Sequence, residues 1–174
     1  NANGIASETN LSGKCRREAI RHGGEVRQIL MASLNSTVET ALKKIIDDES
    51  SPPVANVYTG ADDDTRQIPC AIVECDGGEE LLPETGNYSC RARVTVKSTA
   101  DNDAGATNAL TTHNSLAESV IDLFKTDDLA TNLSAKVAAF TVIGVIDRGQ
   151  TSATDGRTFE DSIEFDLIAC LSAL

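Results

Sequence analysis

The chain holds few residues that could do chemistry. Its two histidines are His22 and His113, and a Ser-His-Asp or Cys-His site on the body of the chain would have to recruit His113. His113 falls among Ala106, Ala109, Leu110, Leu116, Ala117, Val120, Ile121 and Phe124 on one helical stripe. That placement reads as a satisfied core histidine, not a ligand. No phosphate-binding glycine loop, nucleophile elbow or H-E-x-x-H helix is present. The five cysteines, Cys15, Cys70, Cys75, Cys90 and Cys170, contain no C-x-x-C pair. Several lie in apolar strand patterns, where a reduced thiol behaves as a small hydrophobe. The sequence therefore predicts reduced, mostly buried thiols and synthesis in a reducing cytoplasm. The acidic groups Asp62-Asp63-Asp64 and Asp101-x-Asp103 lack the spaced, glycine-turned loop of a calcium site. No catalytic centre, metal or cofactor is expected.

Charge narrows the partners. The formal net charge is −12 over 174 residues. Residues 1–30 carry five basic side chains (Lys14, Arg16, Arg17, Arg21, Arg27) against three acids (Glu8, Glu18, Glu25), so +2 there leaves −14 for the rest. A body this acidic repels nucleic acid and anionic membrane at long range. No aromatic stacking platform offsets that, since aromatics are 3% of the chain. The charge suits solubility, and it equally suits a surface past which DNA slides without sticking. No apolar run approaches the ~18–20 residues of a membrane span.

The elements that must carry these residues follow from periodicity. Apolar residues are 40% of the chain and Trp is absent, so the core is aliphatic. Residues 1–30 are basic, polar and Gly-rich. They read either as upstream sequence before an ordinary start at Met31-Ala32-Ser33 or as an arm that docks on a neighbour, with a short helix over Lys14–His22. Residues 31–174 read as one domain. Leu34, Val38, Ala41, Leu42, Ile45 and Ile46 predict a helix capped by Ser33 and ended before Pro52-Pro53. Strands are predicted over Val54–Tyr58 and Ile68–Cys75, with a turn-rich excursion at Gly77–Gly86. Tyr88–Lys97 alternates strictly, with Arg91, Arg93 and Lys97 on the polar side, either solvated or facing an acidic neighbour. A long helix over Ala104–Phe124 and a short one over Asp128–Val137 follow. Two closing strands, Phe140–Ile146 and Thr158–Leu171, flank a polar hairpin loop. The second puts Phe159, Ile163, Phe165, Leu167 and Ala169 on one face, apolar but for Asp161. The order α-β-β-β-α-(α)-β-β predicts an α+β domain with a largely antiparallel sheet and its helices on one face.

The segments DDDTRQIPCAIVECDGGEE (Asp62–Glu80), YSCRARVTVKSTADND (Tyr88–Asp103) and GRTFEDSIEFDLIACLSAL (Gly156–Leu174), after a helix over Leu34–Asp47, resemble the tail-terminator or tail-completion proteins of long-tailed bacteriophages. The resemblance begins at Met31 and rests on the succession of elements; residues 1–30 depart from it. It implies a structural virion protein of the neck, made in the host bacterial cytoplasm. It also implies a homo-oligomeric ring, typically a hexamer, that caps the tail tube protein and meets the head-tail connector or stopper protein. DNA would pass through its channel without specific binding, and Asp62, Asp63 and Asp64 are candidates for the channel wall. Other neck components (a head-closure or stopper protein) or a tube subunit share the design. A cytoplasmic ligand-binding or enzyme-subunit domain is the alternative of a different class.

Overall fold

The computed structural model describes residues 25–60, 66–81, 85–99, 106–138 and 140–171. Three helices, α1 (Glu25–Asp47), α2 (Ala106–Asp122) and α3 (Leu129–Lys136), lie on one five-stranded sheet. The strands are β1 (Val57–Thr59), β2 (Cys70–Glu80), β3 (Asn87–Thr99), β4 (Phe140–Thr154) and β5 (Thr158–Leu171), in the spatial order β1-β2-β3-β5-β4. Only the short β1–β2 pair is parallel; the remaining pairs are antiparallel. The element order is the expected one.

Helix α1 starts at Glu25 instead of Leu34 and runs straight through Met31. The signal was available in the sequence. Val26, Leu30, Leu34 and Val38 continue one stripe at four-residue steps, directly after the breaker Gly23-Gly24. The stripe residues Leu34, Val38, Ala41, Leu42, Ile45 and Ile46 are all buried. Past the helix end, Asp48 and Glu49 donate back to the carbonyls of Lys44 and Ile46, and Lys43 Nζ reaches the carbonyl of Val57 on β1. In α2, His113, Ala117, Val120 and Ile121 are buried as expected, as is Phe124 just past its end, whereas Leu110 is 44% exposed.

Two strands outrun their predicted limits for the same reason. β2 continues to Glu80 through a bulge between Asp76 and Glu79, where Gly77 and Gly78 adopt φ of 77° and 140°. β4 continues to Thr154 through bulges at Ile143 and Arg148, with Gly149 at φ 103°. Glycine takes these conformations without a Cβ clash, so it kinks a strand where sequence reading assumes it ends one. The polar loop expected at 147–157 shrinks to the turn Asp155-Gly156-Arg157. There Asp155 Oδ1 accepts from the backbone N–H of Arg157 (2.8 Å) and Thr158 (2.7 Å).

The core lies between helices and sheet. β3 contributes Cys90, Ala92, Val94 and Val96, and β5 contributes Ile163, Phe165, Leu167 and Ala169, all buried. Phe165 meets Phe124, two residues past the end of α2, with ring centroids 6.2 Å apart. In a core built mainly of aliphatic side chains this contact anchors the end of α2 over β5. Phe165→Ala should lower stability by about 3–5 kcal/mol. Chemical denaturation should show it as a reduced midpoint with an unchanged denaturant slope.

Candidate functional site

One polar cluster interrupts the apolar layer between α2 and the sheet. Ser98 continues the inward side of β3 beyond Val96, directly opposite Phe159 of β5, and Asp161 stands opposite Val96. His113 descends on them from the middle of α2. Its Nδ1 lies 2.8 Å from Ser98 Oγ and its Nε2 lies 3.3 Å from Asp161 Oδ2. The Phe159 ring sits 5.4 Å away at 33°. The tautomer that fits has Nε2–H donating to the carboxylate and Nδ1 accepting from the serine hydroxyl, which satisfies both ring nitrogens. A groove of about 360 Å³ between Leu110, Asn114, Phe159 and the 152–154 stretch of β4 opens beside it.

Serine, histidine and aspartate in hydrogen-bond sequence are the parts of an acyl-transfer triad. Burial sets what they can do. The imidazole side chain is 3% exposed and the carboxylate 18%. A general base has to exchange its proton with a substrate atom about 3 Å away. His113 and Asp161 both stand in the wall of that groove, yet little of the imidazole is open to it, and each ring nitrogen already has a partner. The geometry is that of a latch pinning α2 to the end of β3 and β5. Sequence reading marked His113 and Asp161 separately, each as the misfit on an apolar face, and missed Ser98. Two polar misfits in one core satisfy each other or go unsatisfied, which is the signal that could have joined them.

The face of the sheet turned away from the helices carries a charge ladder, although Cys70, Ile72 and Thr95 on it are buried. Arg91, Arg93, Thr95 and Lys97 of β3 stand directly opposite Asp166, Glu164, Ser162 and Glu160 of β5. Arg93 pairs with Glu164, Lys97 Nζ lies 2.6 Å from Glu160 Oε1, Arg91 lies 3.6 Å from Asp166, and Thr95 and Ser162 hydroxyls meet at 3.0 Å. Arg148, at the second β4 bulge, also grips Asp166. The basic stripe is thus neither free in solvent nor waiting for an acidic neighbour; the chain's own β5 neutralises it. Such half-exposed pairs each add about 0.2–1 kcal/mol, and their larger effect is on which strands pair.

The third feature is the free edge of β4. Ile143 and Ile146 are 57% and 53% exposed, and every residue from Asp147 to Arg157 is exposed. Residues Gly149–Thr154 are uncharged and contain no proline; the guards of this edge among the described residues are the bulge at Arg148 and Lys125, whose Nζ lies 2.7 Å from Gln150 Oε1. The opposite edge, β1, is three residues long. Asp62, Asp63 and Asp64 lie outside the described residues, as do the predicted Lys14–His22 helix, Cys15 and the Asp101–Asp103 pair. Among the described residues no group of three or more His, Cys, Asp or Glu side chains converges to hold a metal, and no helix is long and apolar enough to cross a membrane.

His113→Ala removes the hub of the latch and should cost about 1–3 kcal/mol, with Ser98→Ala costing about 0.5–1.5. A fluorophosphonate probe should leave Ser98 unmodified in the folded chain; labelling that vanished with His113→Ala would assign chemistry to the cluster. A second test concerns the ladder. The hydrogen bond and charge of Arg148, followed by the charge of Arg91, hold the Asp166 carboxyl below its usual range. A depressed carboxylate stabilises the fold fully above its unfolded value of about 3.9, and that contribution fades as pH falls through the lower folded value. Carboxyl NMR should give Asp166 a low midpoint that rises in Arg148→Ala.

No family model matches this chain, and no curated protein is similar to it.

Proposed function

We propose that this chain is a structural subunit of a bacteriophage virion, a tail terminator. In this reading copies close into a six-membered ring that caps the tail tube, joins it to the head connector and leaves a channel for DNA. The observation that carries the reading is the open edge of β4. A fifteen-residue strand bears two exposed isoleucines and an uncharged outer half. Near its start the N–H of Val142 is taken by Ser134 Oγ, but beyond Gly149 the strand runs, among the described residues, with no further strand beside it, and a neighbouring chain can pair there. Contacts of this kind, repeated head to tail around an axis, generate a closed ring when the rotation permits.

Two further features support it. The succession of elements agrees with the one that carries the resemblance to tail-terminator proteins. The charge also fits a conduit: at −12 overall, with the basic stripe of β3 engaged by β5, the chain offers phosphate backbones little to hold. A head-closure protein or a tube subunit would use the same edge; where the ring sits in a particle separates these from a terminator.

Mass determination in solution and electron microscopy of the purified full chain test the proposal. Closed rings are expected, and Ile143→Asp combined with Ile146→Asp should release monomers with an unchanged circular dichroism spectrum. A wild-type chain that stays monomeric up to its solubility limit would overturn it. So would a ring whose channel is lined by Arg91, Arg93 and Lys97.

A further inference from the structure

Asp76-Gly77 and Asp155-Gly156 are the two Asp-Gly steps of the chain. At such a step the glycine amide nitrogen can attack the side-chain carboxyl carbon of the aspartate before it, because no Cβ on the glycine shields the approach. Both steps are exposed, and a Cβ built on either glycine would meet nothing within 4 Å. Both glycines adopt positive φ, 77° at Gly77 and 82° at Gly156. Space and glycine conformation leave the two steps equal, and the carboxylates separate them.

Asp155 is held. Its Oδ1 accepts from the backbone N–H of Arg157 at 2.8 Å and of Thr158 at 2.7 Å. These bonds keep the carboxyl below its usual range, and so in the ionised form that resists attack. The Gly156 N–H is also engaged, donating to Thr154 Oγ1 at 3.3 Å. Asp76 is not held. It stands opposite Arg91 of β3, but Arg91 Nε lies 3.6 Å from Asp166 of β5, so β5 takes the arginine that β2 could have used. Among the described residues no hydrogen bond or ion pair engages the Asp76 side chain. Gly77 and Gly78 fall outside the paired register, which resumes at Glu79 opposite Ser89.

We propose that Asp76 is a site of spontaneous isoaspartate formation in the folded chain, and that the turn protects Asp155 from the same reaction. Gly77 N attacks Asp76 Cγ and its proton passes to solvent. The protonated carboxyl loses its hydroxyl as water, closing a succinimide ring. Water then adds to one of the two ring carbonyls. Cleavage of the new N–Cγ bond restores aspartate, whereas cleavage of the original peptide C–N bond leaves the main chain running through Cβ and Cγ. One water leaves and one returns, and no electrons are transferred. The isoaspartyl link lengthens β2 by one backbone atom beside Cys75, whose N–H donates to Glu39 Oε1 of α1 at 3.1 Å. The change therefore reaches the contact between β2 and α1.

The experiment holds the folded full chain at physiological temperature and mildly acidic pH, beside a sample in urea. Isoaspartate is read in isolated peptides by methyl transfer from labelled S-adenosylmethionine with a protein L-isoaspartate methyltransferase. In the folded chain the Asp76 peptide should accumulate isoaspartate about tenfold or more faster than the Asp155 peptide, since two hydrogen bonds to a charged group have to be released before Asp155 reacts. In urea the two rates should converge. Asp76→Asn and Asp155→Asn undergo the same attack with ammonia as the leaving group, and the amide-to-acid mass gain should reproduce the order. The order should also persist in the Ile143→Asp, Ile146→Asp chain, which separates protection by the turn from protection by a neighbouring copy. Asp155 reacting as fast as Asp76 in the folded chain, Asp76 reacting only in urea, or rates that differ as much in urea as in the folded chain would overturn the proposal.

Discussion

The pairing of β3 with β5 is the constraint on which the rest of the structure depends. Along its whole length the two strands keep one unbroken register, from Asn87 opposite Cys170 to Thr99 opposite Thr158. One face of that ribbon is apolar, with Val94 beside Ile163 and Ala92 beside Phe165. The other is ionic, with Arg93 beside Glu164 and Lys97 beside Glu160. A slip of one residue would flip one strand, turning Val94 out and arginine under the helices if β3 moved, or Phe165 out and glutamate under them if β5 did. Burial on one side and charge matching on the other forbid the same error. The ladder pairs are individually weak, and together they select a single pairing.

Everything else is arranged around that ribbon. β2 and β4 extend it on either side, and the helices shield its apolar face. The latch at His113 holds the middle of α2 to the ribbon: Ser98 and Asp161 belong to β3 and β5, so one imidazole ties the helix to both. The sheet is asymmetric at its margins. The β1 edge is short, and the β4 edge is long and weakly guarded. Association, if it uses the sheet, is directed to one side of the molecule.

Residues with strong periodicity declared themselves in the sequence. The α1 stripe from Leu34 to Ile46, the alternation of Tyr88–Lys97 and that of Phe159–Ala169 all took the expected faces. The departures share a cause, which is that local pattern carries no information on what lies opposite. The basic stripe of β3 and the acidic stripe of β5 were both visible, yet only the sheet order makes them partners. Ser98, His113 and Asp161 are far apart along the chain and meet through the same strand order. Glycines at 77, 78 and 149 carry the strands through bulges because the partner strand holds both sides of the kink in register. The helical turns before Leu34 carry their stripe in Val26 and Leu30, across a Met31-Ala32-Ser33 that looks like an ordinary start.

Charge decides where copies of so acidic a chain could meet. Two molecules of net charge −12 repel at a distance, and contact through the ladder would strip water from ions that are already paired, with no new partner gained. Contact through Gly149–Thr154 desolvates no formal charge, and Ile143 and Ile146 add apolar area that becomes buried. Backbone pairing along β4 then compensates each desolvated N–H and C=O. In the ring that we propose, such seams leave the acidic side chains outside the contact, free to face solvent or the channel. There the same repulsion that opposes random association keeps a passing polyanion from adhering.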